Sequence, residues 1–119
     1  MKIGIVAPPW VPVPPPAYGG TELAVDTLAR GLHAAGHEVE LFTTGDSECP
    51  VPRKHLLDES EGMLIGTTTI EIRHVLAAYE ALSDCDVIHD HTVIGALLSK
   101  ELTDTPVVTR TTVRSRMKR

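Results

Sequence analysis

The chain has 119 residues, 42% of them hydrophobic and only 3% aromatic, which fits one globular domain with a modest core. Its formal net charge of −5 argues against a general nucleic-acid surface or an anionic-membrane surface. No apolar run is long enough to cross a bilayer, and the first residues do not read as a secretory signal. We expect a cytoplasmic location, with peripheral membrane association as the alternative, and two reduced thiols at Cys49 and Cys85.

The spacing of apolar residues predicts strands that alternate with helices along the chain. The predicted strands are Lys2–Ala7, Glu38–Thr44, a short one near His55–Leu57, Asp86–His89 and Pro106–Thr109. The predicted helices are Thr21–Ala35, Thr68–Leu82 and Thr92–Leu102. Such alternation requires crossover connections, so we predict an α/β fold with a parallel sheet flanked by helices.

Each predicted helix has one apolar face that should cover the sheet. In the first helix Leu28 belongs to that face, whereas Glu22 and Asp26 are expected outside it. His74 is expected on the surface of the second helix and His55 in a loop. We assign neither histidine a role.

A proline-rich segment, "PPWVPVPPPAYGGTE", follows the first strand from Pro8 to Glu22. Because its prolines restrict the backbone to few conformations, the loop is ordered at low entropic cost. Gly19 and Gly20 then open a helix whose first N–H groups are unpaired and carry the positive end of the helix dipole. A phosphate or carboxylate can approach such a backbone closely. The alternative is a plain turn, and the pattern is neither G-x-G-x-x-G nor a Walker A loop.

A second polar group, His89-Asp90-His91, follows a later strand and lies at the same edge of the sheet. Alternate residues of an extended backbone point to one side, so the two histidines can share a side. Metal ligands, acid–base groups and cleft-lining residues are three open interpretations; the metal is the least favoured, because we identify no third ligand. Near the first loop, Trp10 and Tyr18 either stack on a sugar ring or pack within the loop.

Three segments together resemble the N-terminal domain of the retaining glycosyltransferases of family 4, which have the GT-B fold. They are "MKIGIVAPPWVPVPPPAYGGTE", "LARGLHAAGHEVELFTTGDS" and "DVIHDHT", in the family's order and spacing. The resemblance covers residues 1–109 and implies the Rossmann-like, acceptor-binding half of a GT-B enzyme. Such enzymes transfer a sugar from a nucleotide-sugar to an acceptor hydroxyl with retention. The resemblance implies no obligatory metal and no cofactor other than the nucleotide-sugar co-substrate.

The resemblance also implies roles for individual residues. The donor phosphates would contact Gly19, Gly20 and Thr21, and no catalytic residue is assigned. The residues expected to line the acceptor cleft are Trp10, Tyr18, Glu22, His89, Asp90 and His91. The implied partners are a nucleotide-sugar and a sugar or lipid acceptor, with no nucleic acid, and the C-terminal donor domain would be missing. A stand-alone Rossmann-like or flavodoxin-like binding or regulatory domain without catalysis is the alternative.

The last ten residues, 110–119, turn abruptly basic at the point where the family continues with threonines and a His-Gly motif. We expect this tail to be a frameshifted terminus, with deliberate truncation or a cloning-derived tail as alternatives. On this interpretation the chain is a truncated glycosyltransferase of the hexosyltransferase type, and we expect it to be inactive alone.

Overall fold

The computed structural model describes residues 1–65 and 67–110, and they contain five strands and three α-helices, which alternate except that β3 follows β2 without a helix between them. The strands are β1 (Lys2–Val6), β2 (Glu38–Thr43), β3 (Arg53–His55), β4 (Val87–Asp90) and β5 (Val107–Thr109). The helices are α1 (Gly20–Ala34), α2 (Thr68–Ala81) and α3 (Val93–Leu102), and a 3₁₀ turn (Gly62–Leu64) precedes α2. None of these helices is long and apolar enough to cross a membrane. Apart from Arg110, the predicted basic tail lies outside the described residues.

The sheet is parallel throughout, with the strand order β3-β2-β1-β4-β5. This is the Rossmann order, so the predicted Rossmann-like fold is confirmed, whereas a flavodoxin-like domain would have β1 between β2 and β3. The flavodoxin-like alternative is therefore wrong in topology. The crossovers change direction between β1 and β4, and the carboxyl ends of strands at such a switch point form the crevice where open α/β sheets bind ligands.

Helices pack against the central strand β1 on both faces of the sheet. Ile3 and Ile5 belong to the core cluster beneath α1, while Val6 belongs to the cluster beneath α2. Gly4 also faces α2, and a Cβ there would lie 2.9 Å from the Cys85 sulfur. The absence of a side chain at Gly4 therefore lets the end of α2 approach the sheet closely.

Three polar residues predicted to lie outside the core face inward, so those predictions are wrong. Glu22 and Asp26 on α1 are 6% and 7% exposed, and His74 on α2 is fully buried. Asp26 Oδ2 accepts a hydrogen bond from Arg30 Nε at 2.9 Å, which lets a carboxylate sit beside the core. The predicted short strand also begins earlier, at Arg53, so that His55 ends β3 instead of lying in a loop.

His74 fixes the end of β1. Its Nε2 donates to the carbonyl oxygen of Ala7 at 2.7 Å, and its Nδ1 is buried without a partner among the described residues. Its ring also lies edge-on to Phe42, with 5.0 Å between ring centroids. Burial lowers the pKa of His74 to about 4, although the hydrogen bond to Ala7 raises it in part. The histidine is therefore a neutral donor at the point where the proline-rich loop begins.

Asp90, the last residue of β4, is fully buried and accepts three hydrogen bonds. They come from Tyr79 Oη at 2.5 Å and from the backbone N–H and hydroxyl of Thr92 at 2.7 and 2.8 Å. A Cβ at Gly95 on α3 would overlap this carboxylate. The missing side chain at Gly95 therefore makes room for Asp90 beneath the start of α3.

We predict that Gly95→Ala destabilises the domain by about 2 kcal/mol or more, because the new methyl group displaces the Asp90 carboxylate. The matched control is Gly31→Ala on α1, where a Cβ meets nothing within 4 Å. That change should stabilise the helix by up to about 1 kcal/mol. Urea unfolding of both variants checks this, and equal midpoints would contradict the packing described.

A second prediction concerns the pH dependence of stability. Because the folded-state pKa of His74, about 4, lies below its ordinary 6.5, the unfolded chain takes up the proton first on acidification. The stability contribution of the neutral ring is thus complete above about pH 6.5 and is lost as the pH falls towards 4, by up to about 3 kcal/mol.

The variant His74→Gln keeps an N–H donor for Ala7 but has no titratable group. We expect its free energy of unfolding to fall less between pH 7 and 4.5 than that of the parent chain. His33→Gln, at an exposed position on α1, serves as the control and should follow the parent. Parallel pH profiles for the parent and His74→Gln would show that the buried imidazole is not the group responsible.

Candidate functional site

A cavity of about 650 Å³ opens at the switch point between β1 and β4. The proline-rich loop and the start of α1 form one side, and the residues that follow β4 form the other. The lining residues are Pro8, Trp10, Val11, Tyr18, Gly19, Gly20, Thr21, Glu22, Ala24, Ile65, Glu71, His91, Thr92, Val93 and Arg110. The Gly19-Gly20 helix start and His91 of the His89-Asp90-His91 segment are thus brought together at one site.

The proline-rich loop is anchored to the segment that follows β2. Val13, in the middle of the loop, is fully buried, and its N–H donates to Ser47 Oγ at 2.9 Å. Its carbonyl oxygen accepts hydrogen bonds from the N–H groups of Glu48 and Cys49, both at 2.9 Å. Trp10 is buried, with 8% of its surface exposed, and it lines the cavity. The loop therefore forms a firmly held wall.

The two glycines at the start of α1 have different local environments. A Cβ on Gly19 would lie 3.0 Å from the Cβ of Pro15 and 3.3 Å from Val11, so this glycine permits close packing of the loop. A Cβ on Gly20 would meet nothing within 4 Å. No side chain caps α1 from Gly19, while the N–H of Glu22 bonds to its own carboxyl group, which lies beside Gly19. The N–H groups of Gly20 and Thr21 are therefore the ones left for a ligand.

The start of α3 also borders the cavity, but side chains of the protein already accept hydrogen bonds from its N–H groups. The Thr92 hydroxyl accepts the N–H of Gly95 at 2.9 Å, and Glu71 Oε2 accepts the N–H of Ile94 at 2.7 Å. Glu71 places a carboxylate where an anionic ligand would otherwise bind. Three helix starts border the cavity within the described residues: α3 has side-chain caps, whereas α1 and α2 lack one, and α2 places the Glu71 carboxylate in its own first turn.

The two histidines share a side, as predicted, but only His91 lines the cavity. His89 Nδ1 and His91 Nε2 are 2.7 Å apart, so one ring donates a hydrogen bond and the other accepts it. Burial, together with His89 and Arg110, lowers the pKa of His91 to about 4, and burial also lowers the pKa of His89. The pair is therefore neutral near pH 7.

Asp90 does not line the cavity, in contrast to its predicted role. Its carboxylate turns beneath α3 towards Tyr79 and Thr92, because three donors are available there. His89 likewise contacts the cavity only through His91. Both residues position His91, and sequence alone could not distinguish positioning from lining.

Glu22 and Tyr18, two of the residues predicted for the acceptor cleft, lie on the cavity wall with very different exposure, and their role in acceptor binding stays a prediction. Tyr18 is 89% exposed, whereas Glu22 is 6% exposed. No other residue of 1–65 or 67–110 donates a hydrogen bond to the Glu22 side chain. Burial raises the pKa of Glu22, and the hydrogen bond from its own N–H offsets this in part.

Across the same ranges, no three His, Cys, Asp or Glu side chains converge as a metal site.

Sequence reasoning missed two residues that support the site. His74 holds the end of β1, and Glu71 caps α3. The spacing of three residues between them places both on one face of α2, together with the buried Ala78. This spacing could have indicated that Glu71 and His74 are buried, but a pattern based on apolar residues does not include charged or polar side chains.

Comparisons with known proteins agree with the fold. The sequence model of Glycosyltransferase Family 4 matches residues 18–111. A search of curated proteins found no match. Among solved structures, the chain is similar to "Crystal structure of AviGT4, a glycosyltransferase involved in Avilamycin A biosynthesis", with a TM-score of 0.59 and 24% identity.

That alignment covers 93% of this chain and 32% of the AviGT4 chain, so the protein described here spans about a third of that structure. The structural similarity shows the fold, whereas the family match includes Gly19 and Gly20 at the start of α1 as well as His89 and His91. Because the match extends over most of the sequence, the chain belongs to Glycosyltransferase Family 4.

Proposed function

We propose that this domain forms the acceptor side of a retaining glycosyltransferase cleft and that the start of α1 contacts the diphosphate of a nucleotide-sugar donor. The observation that supports this most strongly is the contrast between the two helix starts. Glu71 and Thr92 cap α3, while α1 presents free N–H groups beside Gly20. A chain that covers a third of AviGT4 leaves the opposite wall of the cleft to a second domain.

The chemistry required at this place is stabilisation of a leaving group. When a nucleotide-sugar gives up its sugar, negative charge grows on the departing diphosphate. The N–H groups of Gly20 and Thr21 are fixed in a helix and need no reorganisation to receive that charge. Since Gly20 has no side chain, a phosphate oxygen can reach the backbone.

The acceptor would bind on the same side of the cleft, between α1 and the residues after β4. His91 is neutral near pH 7 and exchanges a hydrogen bond with His89, so its orientation is fixed. Glu22 supplies a hydrogen-bond acceptor from α1. These groups bind and orient a hydroxyl group, and we assign no catalytic base.

We predict that Gly20→Val weakens the binding of inorganic pyrophosphate at least about tenfold, because the new side chain blocks the approach of a phosphate oxygen to the backbone N–H groups, and the loss of such a contact to an oxyanion has effects of that order or more. The fold should tolerate the change, because a Cβ there meets no neighbour within 4 Å. Isothermal titration calorimetry measures the affinity, and urea unfolding measures the stability.

The matched control is Gly31→Val, the same substitution on the same helix, at an open position that does not line the cavity. It should leave pyrophosphate binding unchanged. Equal pyrophosphate affinity in folded Gly20→Val and in the parent chain would remove the phosphate role from α1.

We also predict that the 119-residue chain transfers no sugar on its own, because the described residues line one side of the proposed cleft. Incubation with a panel of nucleotide-sugars and simple alcohols, followed by assay of released nucleoside diphosphate, tests this. A full-length member of the family verifies the sensitivity of the assay. Turnover by the purified chain would contradict the proposal that it supplies only the acceptor side.

A further inference from the structure

Two histidine rings beside the cavity share one hydrogen bond, and each ring keeps one nitrogen without a partner among the described residues. His89 Nδ1 and His91 Nε2 are 2.7 Å apart, which leaves His89 Nε2 and His91 Nδ1. His91 is 4% exposed and lines the cavity, whereas His89 is partly exposed and does not line it. His91 Nδ1 is therefore the ring nitrogen left for a ligand in the cavity.

A neutral pair of this kind has two arrangements, because a neutral imidazole carries one N–H group and one nitrogen lone pair. In the first, His91 donates from Nε2, its Nδ1 is an acceptor, and His89 holds its proton on Nε2. In the second, His89 donates from Nδ1, and His91 holds its proton on Nδ1 and is a donor. Both arrangements contain two protons and no charge. The shared hydrogen bond therefore couples the tautomer of one ring to that of the other.

The charges around the pair favour one arrangement over the other. The positive charge of Arg110, which also lines the cavity, lowers the pKa of both rings. A nearby cation favours a lone pair over an N–H group, so the first arrangement is favoured in the empty cavity. An anion in the cavity offsets that charge and favours the second. Asp90, the other charged group that acts on His89, keeps its own three hydrogen bonds in both.

We propose that the His89–His91 pair is a hydrogen-bond relay, which converts His91 from an acceptor in the empty cavity into a donor when an anion binds. This inference rests on the proposed function, because the anion is the diphosphate at the start of α1. The shared proton passes from His91 Nε2 to His89 Nδ1. His89 Nε2 releases its proton to water, and His91 Nδ1 takes one up from water. One cavity thus binds a hydroxyl group or an anion with no change in the charge of the pair, and His89 is the positioning residue.

NMR of the ring nitrogens tests the relay, because long-range ¹H–¹⁵N correlation distinguishes a protonated ring nitrogen from one with a lone pair. The probe is inorganic pyrophosphate at about pH 8, where both rings are neutral. We expect the proton of His91 on Nε2 in the free chain and on Nδ1 with pyrophosphate bound, and the proton of His89 moves from Nε2 to Nδ1 in step. His33, exposed on α1 and outside the cavity, should keep one tautomer throughout.

Affinity measurements distinguish a relay from two independent contacts. His91→Phe should weaken pyrophosphate binding about tenfold, because a hydrogen bond to a charged group is lost. His89→Phe should weaken it by a comparable factor, and the double variant should lose no more than His91→Phe alone, since His89 acts only through His91. His33→Phe is the matched control and should bind pyrophosphate like the parent chain. Urea unfolding checks that each variant is folded.

Three results would overturn the relay: one His91 tautomer with and without pyrophosphate, protonation of both His91 nitrogens on binding, or additive losses in the double variant. The backbone amides in the same titration keep the proposed function separate. If Gly20 and Thr21 shift while the tautomer of His91 is unchanged, only the relay is wrong. If Gly20 and Thr21 do not shift, the proposed function is wrong, and the relay is wrong with it.

Discussion

The site depends on a carboxylate buried at the end of β4. Asp90 is fully buried, and without donors such burial would cost several kcal/mol. Tyr79 on α2 and Thr92 before α3 supply the donors, so one carboxylate joins a strand to two helices. The next residue, His91, is thereby held at the cavity. Gly95 completes the arrangement, since any side chain there would occupy the space of the carboxylate.

A second consequence is the difference between two helix starts at the same crevice. The Asp90 network aligns Thr92 as the cap of α3, and Glu71 reaches across from α2 to the same end. Side-chain oxygen atoms therefore already bond two of the first N–H groups of α3, those of Ile94 and Gly95. The start of α1 follows Gly19, which has no side chain to offer, and remains open. The start of α1 thus offers an anion a helix dipole at this crevice, beside a wall held in place by Val13.

Sequence patterns predicted the elements well because strand and helix periodicities are local properties. The strands and helices flank the Gly19-Gly20 segment and the His89-Asp90-His91 segment as expected. The parallel pairing of β1 and β4 then places Gly20 and His91 at the same edge of the sheet. The roles of Asp90 and His74 depend on partners 11 and 67 residues away, Tyr79 and Ala7, and no local pattern contains those contacts. The strand order likewise had to be observed, because the alternation of strands and helices fits both Rossmann and flavodoxin topologies.

The central claim is that a diphosphate binds at the start of α1 and not at the start of α3. Two-dimensional ¹H–¹⁵N NMR of the chain during a pyrophosphate titration tests it directly, since each backbone amide reports its own environment. The account predicts the largest shifts at the amides of Gly19, Gly20 and Thr21, with little change at Ile94 and Gly95, whose N–H groups are already bonded to side chains. The largest shifts at Ile94 and Gly95, or a titration that leaves Gly20 and Thr21 unmoved, would contradict it.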